Sequence, residues 1–441
     1  MKTNAKQVAM PIIEKVVDIA EEIFKNPELG YKEVRTVGEI IKFLEAYNIP
    51  YTKEVAYTGI IATIDSGKEG PHIGLVCDLD AVPTNGHPYC NPQDNGAHTC
   101  GHYAQIGVML GVLATIKEAG IVEALGGKVS FIGTPAEEFV DFDYRHELMA
   151  QGKIKYASGK QEMIHLGVFE DVDLVLSCHT LGTGMPYDAE IDATLNGFIK
   201  KRAVFHGKAA HAGANPSQGI NALNAANLAM TGINFLRETF KEEDAIRVHF
   251  MLVEGGQSVN TIPERTTLDM YIRGKSVEAI MNANEKVDRA LRAGGLAIGC
   301  DVEITDTPGY FPLRQDRNLT KVVEDNMRHY IQAERILRDG HGFASGDMGD
   351  ISMIIPTVEI GTGGFVGTMH GKDFQTEDAN MAYNIPIYYF IGTIVDLLSD
   401  KGQKVYEIKE NFKPIFTRDE YLKTLENLNQ TRMYKLEDTK C

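Results

Sequence analysis

The chain has 441 residues, with 44 Lys+Arg against 61 Asp+Glu and a formal net charge of −17; hydrophobic residues make up 43% and charged residues 24%. That length exceeds one ordinary core and predicts two or three globular domains. The acidic balance argues against nucleic acid as a partner, because a phosphate backbone rewards a basic footprint, and no apolar run in the sequence reads as the roughly 20 residues of a membrane span.

The start of the chain, from Met1 to Lys6, is polar and leads into a charged amphipathic stretch, without the apolar segment and small-residue cleavage site of a signal peptide. Cys77, Cys90, Cys100, Cys178, Cys300 and Cys441 form no CxxC pair, so free thiols in a reducing compartment, and hence a cytoplasmic location, are expected. Ile12, Val16, Ile19 and Ile23 recur at helical spacing and predict a helix over 8–24, ended by Asn26-Pro27. Strand-like runs follow at 59–64, 72–77 and 128–133, with a helical pattern at 103–119 and another apolar run at 172–177. Alternating strands and helices predict an α/β sheet with covered faces.

The pattern changes after Gly197. Strands at 198–205, 247–253, 266–272 and 302–305 and helices at 217–239 and 276–293 follow the order strand, helix, strand, strand, helix, strand, which is that of a small ferredoxin-like α+β sandwich. A helix at 319–336, a strand at 357–360 and a helix at 379–398 then resume the first pattern. The predicted architecture is therefore an α/β domain formed by 1–194 and 309–441, split by an inserted α+β domain at 195–308. Residues 402–441 are charged and carry no readable motif.

The chemistry gathers at predicted strand ends. His98-Thr99-Cys100-Gly101-His102 precedes a helix. Cys100 and His102 on a turn can face one metal, and a helix N-terminus favours a thiolate. Glu137 and Glu138 follow a buried strand, where two adjacent carboxylates are costly unless a cation meets them. His179 ends another strand, and His370 lies among glycine turns. Each fragment alone is also compatible with a surface loop or a structural hydrogen bond. Together they lie at the carboxyl ends of one α/β sheet, where such folds bind ligands.

The set Asp78-Leu79-Asp80-Ala81-Val82-Pro83, Cys100-Gly101-His102, Pro135-Ala136-Glu137-Glu138, His179 and His370 resembles the metallopeptidase family of aminoacylases and carboxypeptidases. It is most similar to the branch with a Cys-bridged metal pair, which includes N-acyl-amino-acid, auxin-conjugate and aminobenzoyl-glutamate hydrolases. Gly207–Ala212 with Pro216, the Gly255–Pro263 segment with Arg273, and Ser345–Asp350 extend the resemblance over residues 8–400. It implies hydrolysis of a small-molecule amide with two divalent metal ions, Zn, Mn, Co or Ni. Cys100 would bridge the metals, with His102 and His370 completing one site and Glu138 and His179 the other. Glu137 would be the general base, and Asp80 would orient neighbouring groups. His211 would stabilise the oxyanion, while Asn260 and Arg273 hold substrate. The inserted domain would act as a lid and as the interface of a homodimer. A metal-binding or regulatory relative without turnover is the alternative, set against the presence of Glu137 and all five ligand candidates; a thiol enzyme with Cys100 as nucleophile is a third.

Two departures stand out. The branch continues CGH with Asp, and another His two residues later, where this chain has Tyr103, Ala104 and Gln105. Residues 139–165 depart from the compact form and carry Asp141, Asp143, Arg145, Lys153, Lys155 and Lys160, which suits either an active-site flap or a surface excursion.

Overall fold

A computed structural model describes residues 1–439. The chain divides into two compact units: Met1–Ala193 with Arg314–Gly340 and Asp350–Ile415, and Thr194–Leu313 with His341–Gly349 and the segment from Phe416 onward.

The first unit is built on an eight-stranded mixed sheet. Its centre is formed by strands Lys128–Thr134, His72–Asp78, Leu174–Thr180 and Thr357–Thr362, each parallel to the next. The first two of these are buried along almost their whole length, as continuous apolar strands covered on both faces must be. Because the four run the same way, their carboxyl ends share one edge. The antiparallel pair Tyr51–Val55 and Gly59–Asp65 extends one side of the sheet. Ala189–Ile191 and Ile336–Arg338 close the other side.

Helices Lys2–Lys25, His102–Glu118 and Ile385–Asn411 pack around this sheet in one large core. His102–Glu118 is buried at every position up to Ile116, so it is apolar all round rather than amphipathic. The helical stretch 380–411 is long and apolar enough to cross a bilayer, but 78% of its most apolar window is buried in the protein, which accounts for that composition. Positive φ at Asp400, Lys401 and Gly402 breaks it near the end. The expected helix over 319–336 is shorter, Arg317–Met327, and the chain then turns into the strand Ile336–Arg338. Helix Val34–Ala46 was not read from the sequence.

Residues 139–165 are a partly exposed stretch with a buried side. They fold into helices Phe142–Ala150 and Gly159–His165, and Arg145 and Lys160 are completely buried.

The second unit is an antiparallel sheet in the order Arg247–Glu254, Arg265–Gly274, Gly197–His206, Asp301–Pro308, Gln430–Tyr434. Helices Ala222–Phe235 and Val277–Ile298 cover it over an apolar core. The fifth strand comes from the end of the chain, which the sequence boundaries had assigned to the α/β domain. Arg432 on that strand ion-pairs with Asp288 and Asp306, and both acids also bind the fully buried Lys201. A buried charge needs such partners, and this network fastens the tail to the inserted sheet. Cys77, Cys90, Cys100, Cys178 and Cys300 are free thiols; Cys441 lies outside the described residues.

Candidate metal centre

The shared strand edge of the first unit gathers the residues expected from the sequence. Cys100 sits in the turn before helix His102–Glu118, with Gly101 at φ +89°. A Cβ at Gly101 would lie 1.8 Å from Thr180 Oγ1, and Thr180 Oγ1 donates to the Cys100 carbonyl at 2.8 Å. Only glycine allows the turn to approach that strand so closely. His179 is on the strand Leu174–Thr180, and Glu137 and Glu138 follow the strand Lys128–Thr134. The His370 loop is tied to the Cys100 turn by the His370 N–H, which donates to the Thr99 carbonyl at 2.9 Å.

Cys100 Sγ is the hub, 3.4 Å from His179 Nε2 and 3.3 Å from His370 Nε2. Glu138 Oε1 is 3.3 Å from His370 Nε2, and Glu137 Oε2 is 3.8 Å from His102 Nε2. Donor atoms converge within 4.8 Å of one another in three sets: Cys100, His102 and His179; Cys100, Glu138 and His370; His102, Glu137 and Glu138. Two of these sets join His102 to His179 and Glu138 to His370, where the resemblance had joined His102 to His370 and Glu138 to His179; the third joins His102 to the two glutamates. The His102 and His179 ring centroids are 5.6 Å apart.

Asp80 is buried beneath the centre. Its carbonyl is 2.8 Å from His102 Nδ1, and its carboxylate accepts the N–H groups of Glu137 at 3.1 Å and Glu138 at 3.0 Å. Holding Nδ1 against a carbonyl leaves His102 Nε2 as the free lone pair, directed at the cluster.

The donor set fits a cation. His102 Nε2 and Glu138 Oε1 are buried atoms without a hydrogen-bond partner, which is costly unless something positive meets them. Burial, and then the Glu138 charge, push the Cys100 thiol well above its ordinary value. A bound cation would act in the opposite direction and favour the thiolate. Burial lowers His179 to about 4, keeping its imidazole neutral and available as a ligand.

Tyr103 points away from this chemistry. It is fully buried, its ring is 4.6 Å from that of Phe24, and its hydroxyl is 2.6 Å from Thr376 Oγ1. The exchange of acid for phenol is thus absorbed by the core. Tyr103→Phe is expected to cost about 1 kcal/mol of stability, the value of one buried hydrogen bond, and to leave kcat unchanged, as a paired melting and rate measurement would show. His98 is fully buried with neither ring nitrogen bonded, and burial lowers it to about 3.

His211, Asn260 and Arg273 belong to the second unit. His211 Nδ1 accepts the N–H groups of Gly213 at 3.2 Å and Ala214 at 2.9 Å, so in the neutral ring Nε2 carries the proton. The Asn260 amide is 3.3 Å from that Nε2, and with the proton on Nε2 it is the amide oxygen, not the NH2, that can accept from it. Capping a turn and presenting a donor are thus compatible for His211. Arg273 lies on strand Arg265–Gly274, donates to Ser345 Oγ at 2.6 Å and rests over the rings of Phe198 and Tyr271. Lys160 and Arg145 were missed as residues near the site, since nothing in their local sequence signals burial.

The model of the peptidase family M20/M25/M40 matches residues 74–391. The chain belongs to this family. It is accordingly a hydrolase of amide bonds. The Xaa-Arg dipeptidase of Mus musculus is 28% identical over 380 residues, covering 81% of this chain and 78% of the relative. One of the p-aminobenzoyl-glutamate hydrolase chains of Escherichia coli is 28% identical over 287 residues, covering 62% of this chain and 59% of the relative. A Bacillus subtilis dinuclear metal-binding peptidase of family M20 has the same fold, with TM-score 0.68 and 20% identity over 88% of this chain and 99% of that one.

Proposed function

We propose that the chain is a two-metal amidohydrolase that cleaves a small N-acylated amino acid, an aminobenzoyl-glutamate-like conjugate or a dipeptide. The observation that carries this reading is the convergence of two histidines on Cys100 Sγ, with a carboxylate and a third histidine in the same cluster. The substrates named for the relatives, an Xaa-Arg dipeptide and an aminobenzoyl-glutamate, both have an amino acid on one side of the amide.

In this reading Cys100 would be shared by the two ions, with His102 and His179 the residues that would hold one and Glu138 and His370 those that would hold the other. The donor set suits Zn, Mn, Co or Ni. When bound, such ions supply Lewis acidity and bring water's pKa from 15.7 towards about 7. Glu137 takes the proton of the attacking water and returns it to the leaving nitrogen. His211 Nε2–H donates to the developing oxyanion, Asn260 holds the substrate amide, and the planar fork of Arg273 suits a carboxylate. A homodimer through the inserted unit is part of the proposal: its edge strand Arg247–Glu254 leaves Met251, Leu252 and Val253 exposed, an apolar row that an edge does not usually leave uncovered. A cytoplasmic location is also part of the proposal, in keeping with five free thiols among the described residues.

Metal removal tests the reading. Chelation is expected to abolish hydrolysis in a screen of N-acyl amino acids, aminobenzoyl-glutamate and dipeptides, and added divalent metal to restore it. Full activity in metal-free protein would reject the metal centre.

A further inference from the structure

The Glu137-Glu138 loop is held from below by residues outside the ligand set. The Ala136 N–H donates to Glu33 Oε1 at 2.8 Å. The next two N–H groups donate to Asp80. On the carbonyl side, Arg145 Nη2 donates to the Glu138 carbonyl, and Nη1 contacts the Ala136 carbonyl at 3.5 Å and donates to Ala157 at 2.7 Å. The main chain from 136 to 138 is therefore fixed at both of its polar faces.

The two outer clamps are completely buried; Glu33 comes from a distant segment and Arg145 from the helix that follows the loop. Glu33 is 0% exposed and precedes helix Val34–Ala46; its other oxygen accepts from Thr58 Oγ1. Arg145 is 0% exposed and belongs to the helix Phe142–Ala150. Gly30 allows the approach, since a Cβ there would lie 2.7 Å from both Ala136 Cα and Arg145 Nη2. The loop they hold is not relaxed: Ala136 has φ +54°, a left-handed conformation that costs a non-glycine residue roughly 1 kcal/mol or more. Two buried polar side chains spent on a single strained residue and its neighbours are more than packing requires.

We infer that Glu33 and Arg145 are positioning residues, which hold the Ala136–Glu138 main chain so that Glu137 and Glu138 are aimed at the reaction centre. This rests on the roles proposed above for those two glutamates. Arg145 acts through the Glu138 carbonyl and Glu33 through the Ala136 N–H; neither touches substrate. Burial and the neighbouring Asp80 charge raise the Glu33 carboxyl to about 8, so near neutral pH a glutamine at 33 keeps the neutral charge and the oxygen that accepts from Ala136, with its NH2 facing Thr58 Oγ1.

The test compares Glu33→Ala, Glu33→Gln, Arg145→Ala and Arg145→Lys with Glu137→Gln and Glu138→Ala, each in the full chain with metal content measured. Glu33→Ala and Arg145→Ala are expected to lower kcat by ~10–100-fold, the usual loss when support behind a metal centre is removed. KM should stay within about threefold, and kcat is normalised to metal-loaded, folded protein. Glu33→Gln should restore most of the rate. Guanidinium ion added to Arg145→Ala should recover part of it, an effect that a general packing defect does not show. Wild-type kcat per loaded site in both alanine variants, or a Glu33→Gln variant as slow as Glu33→Ala, overturns the inference. If Arg145→Ala does not fold, the Glu33 pair and Arg145→Lys decide it. Should Glu137→Gln and Glu138→Ala themselves stay active, the roles of the glutamates fail first, and the two failures are thereby distinguished.

Discussion

Glu137→Gln is expected to lower kcat by roughly 10²–10⁴-fold, the range for loss of a positioned general base, while the protein keeps its full metal content. The substitution preserves size, and the residue-137 N–H still donates to Asp80, because that bond belongs to the main chain. What disappears is a carboxylate 3.8 Å from His102 Nε2 that can accept and return a proton. Glu138→Gln is the informative contrast. Glu138 Oε1 faces His370 Nε2 at 3.3 Å and has no hydrogen-bond partner, so its replacement should reduce metal content and activity together. The pair also separates the rival readings. A metal-binding relative without turnover shows no rate to lose in either variant. An enzyme using Cys100 as nucleophile survives chelation and depends little on Glu137. Metal analysis beside single-turnover rates checks all three, and near-normal turnover in metal-loaded Glu137→Gln would remove Glu137 from the mechanism.

Much of this centre could be read from the sequence because its donors follow strand ends. A buried parallel strand is a visible apolar run, and a polar residue just beyond it lies at the sheet edge where ligands bind. That is why Glu137, Glu138 and His179 stood out. The pairing around Cys100 could not be read, since it depends on how a helix start and a strand end face each other. The buried side of residues 139–165 was hidden for a related reason. Arg145 and Lys160 look like surface residues locally, and the groups that make their burial tolerable lie elsewhere: Asp78 is 82 residues from Lys160. The tail strand Gln430–Tyr434 was equally hidden, because its place is set by Arg432 meeting Asp288 and Asp306 rather than by an apolar pattern of its own.

The same hidden burial sets the second large effect: Lys160→Met should cost about 3–5 kcal/mol, the loss seen when one partner of a buried ion pair is removed. Lys160 Nζ binds Asp78 Oδ1, with the two side chains 0% and 1% exposed, and Thr134 Oγ1 donates to the same oxygen at 2.7 Å. Methionine fills the channel of the lysine stem but leaves a buried carboxylate with one hydroxyl in place of an ammonium. Adding Asp78→Asn removes that charge, so the double variant should be more stable than Lys160→Met alone, a coupling that separates charge from packing. The pH dependence has a definite sign. Burial opposes the Asp78 charge, but the Lys160 charge and the hydrogen bonds from Lys160 and Thr134 outweigh it and hold the carboxyl down at about 2, against about 3.9 in an unfolded chain. A depressed folded-state value adds stability that is fully present above the unfolded value and is lost as pH falls through the folded one. The stability gap between wild type and Asp78→Asn should therefore be widest above pH ~4 and shrink towards pH ~2. Urea unfolding of the four proteins at several pH values measures this, and a gap that stays constant down to pH ~2, or a double variant no better than Lys160→Met, would mean that the pair does not act through its charge.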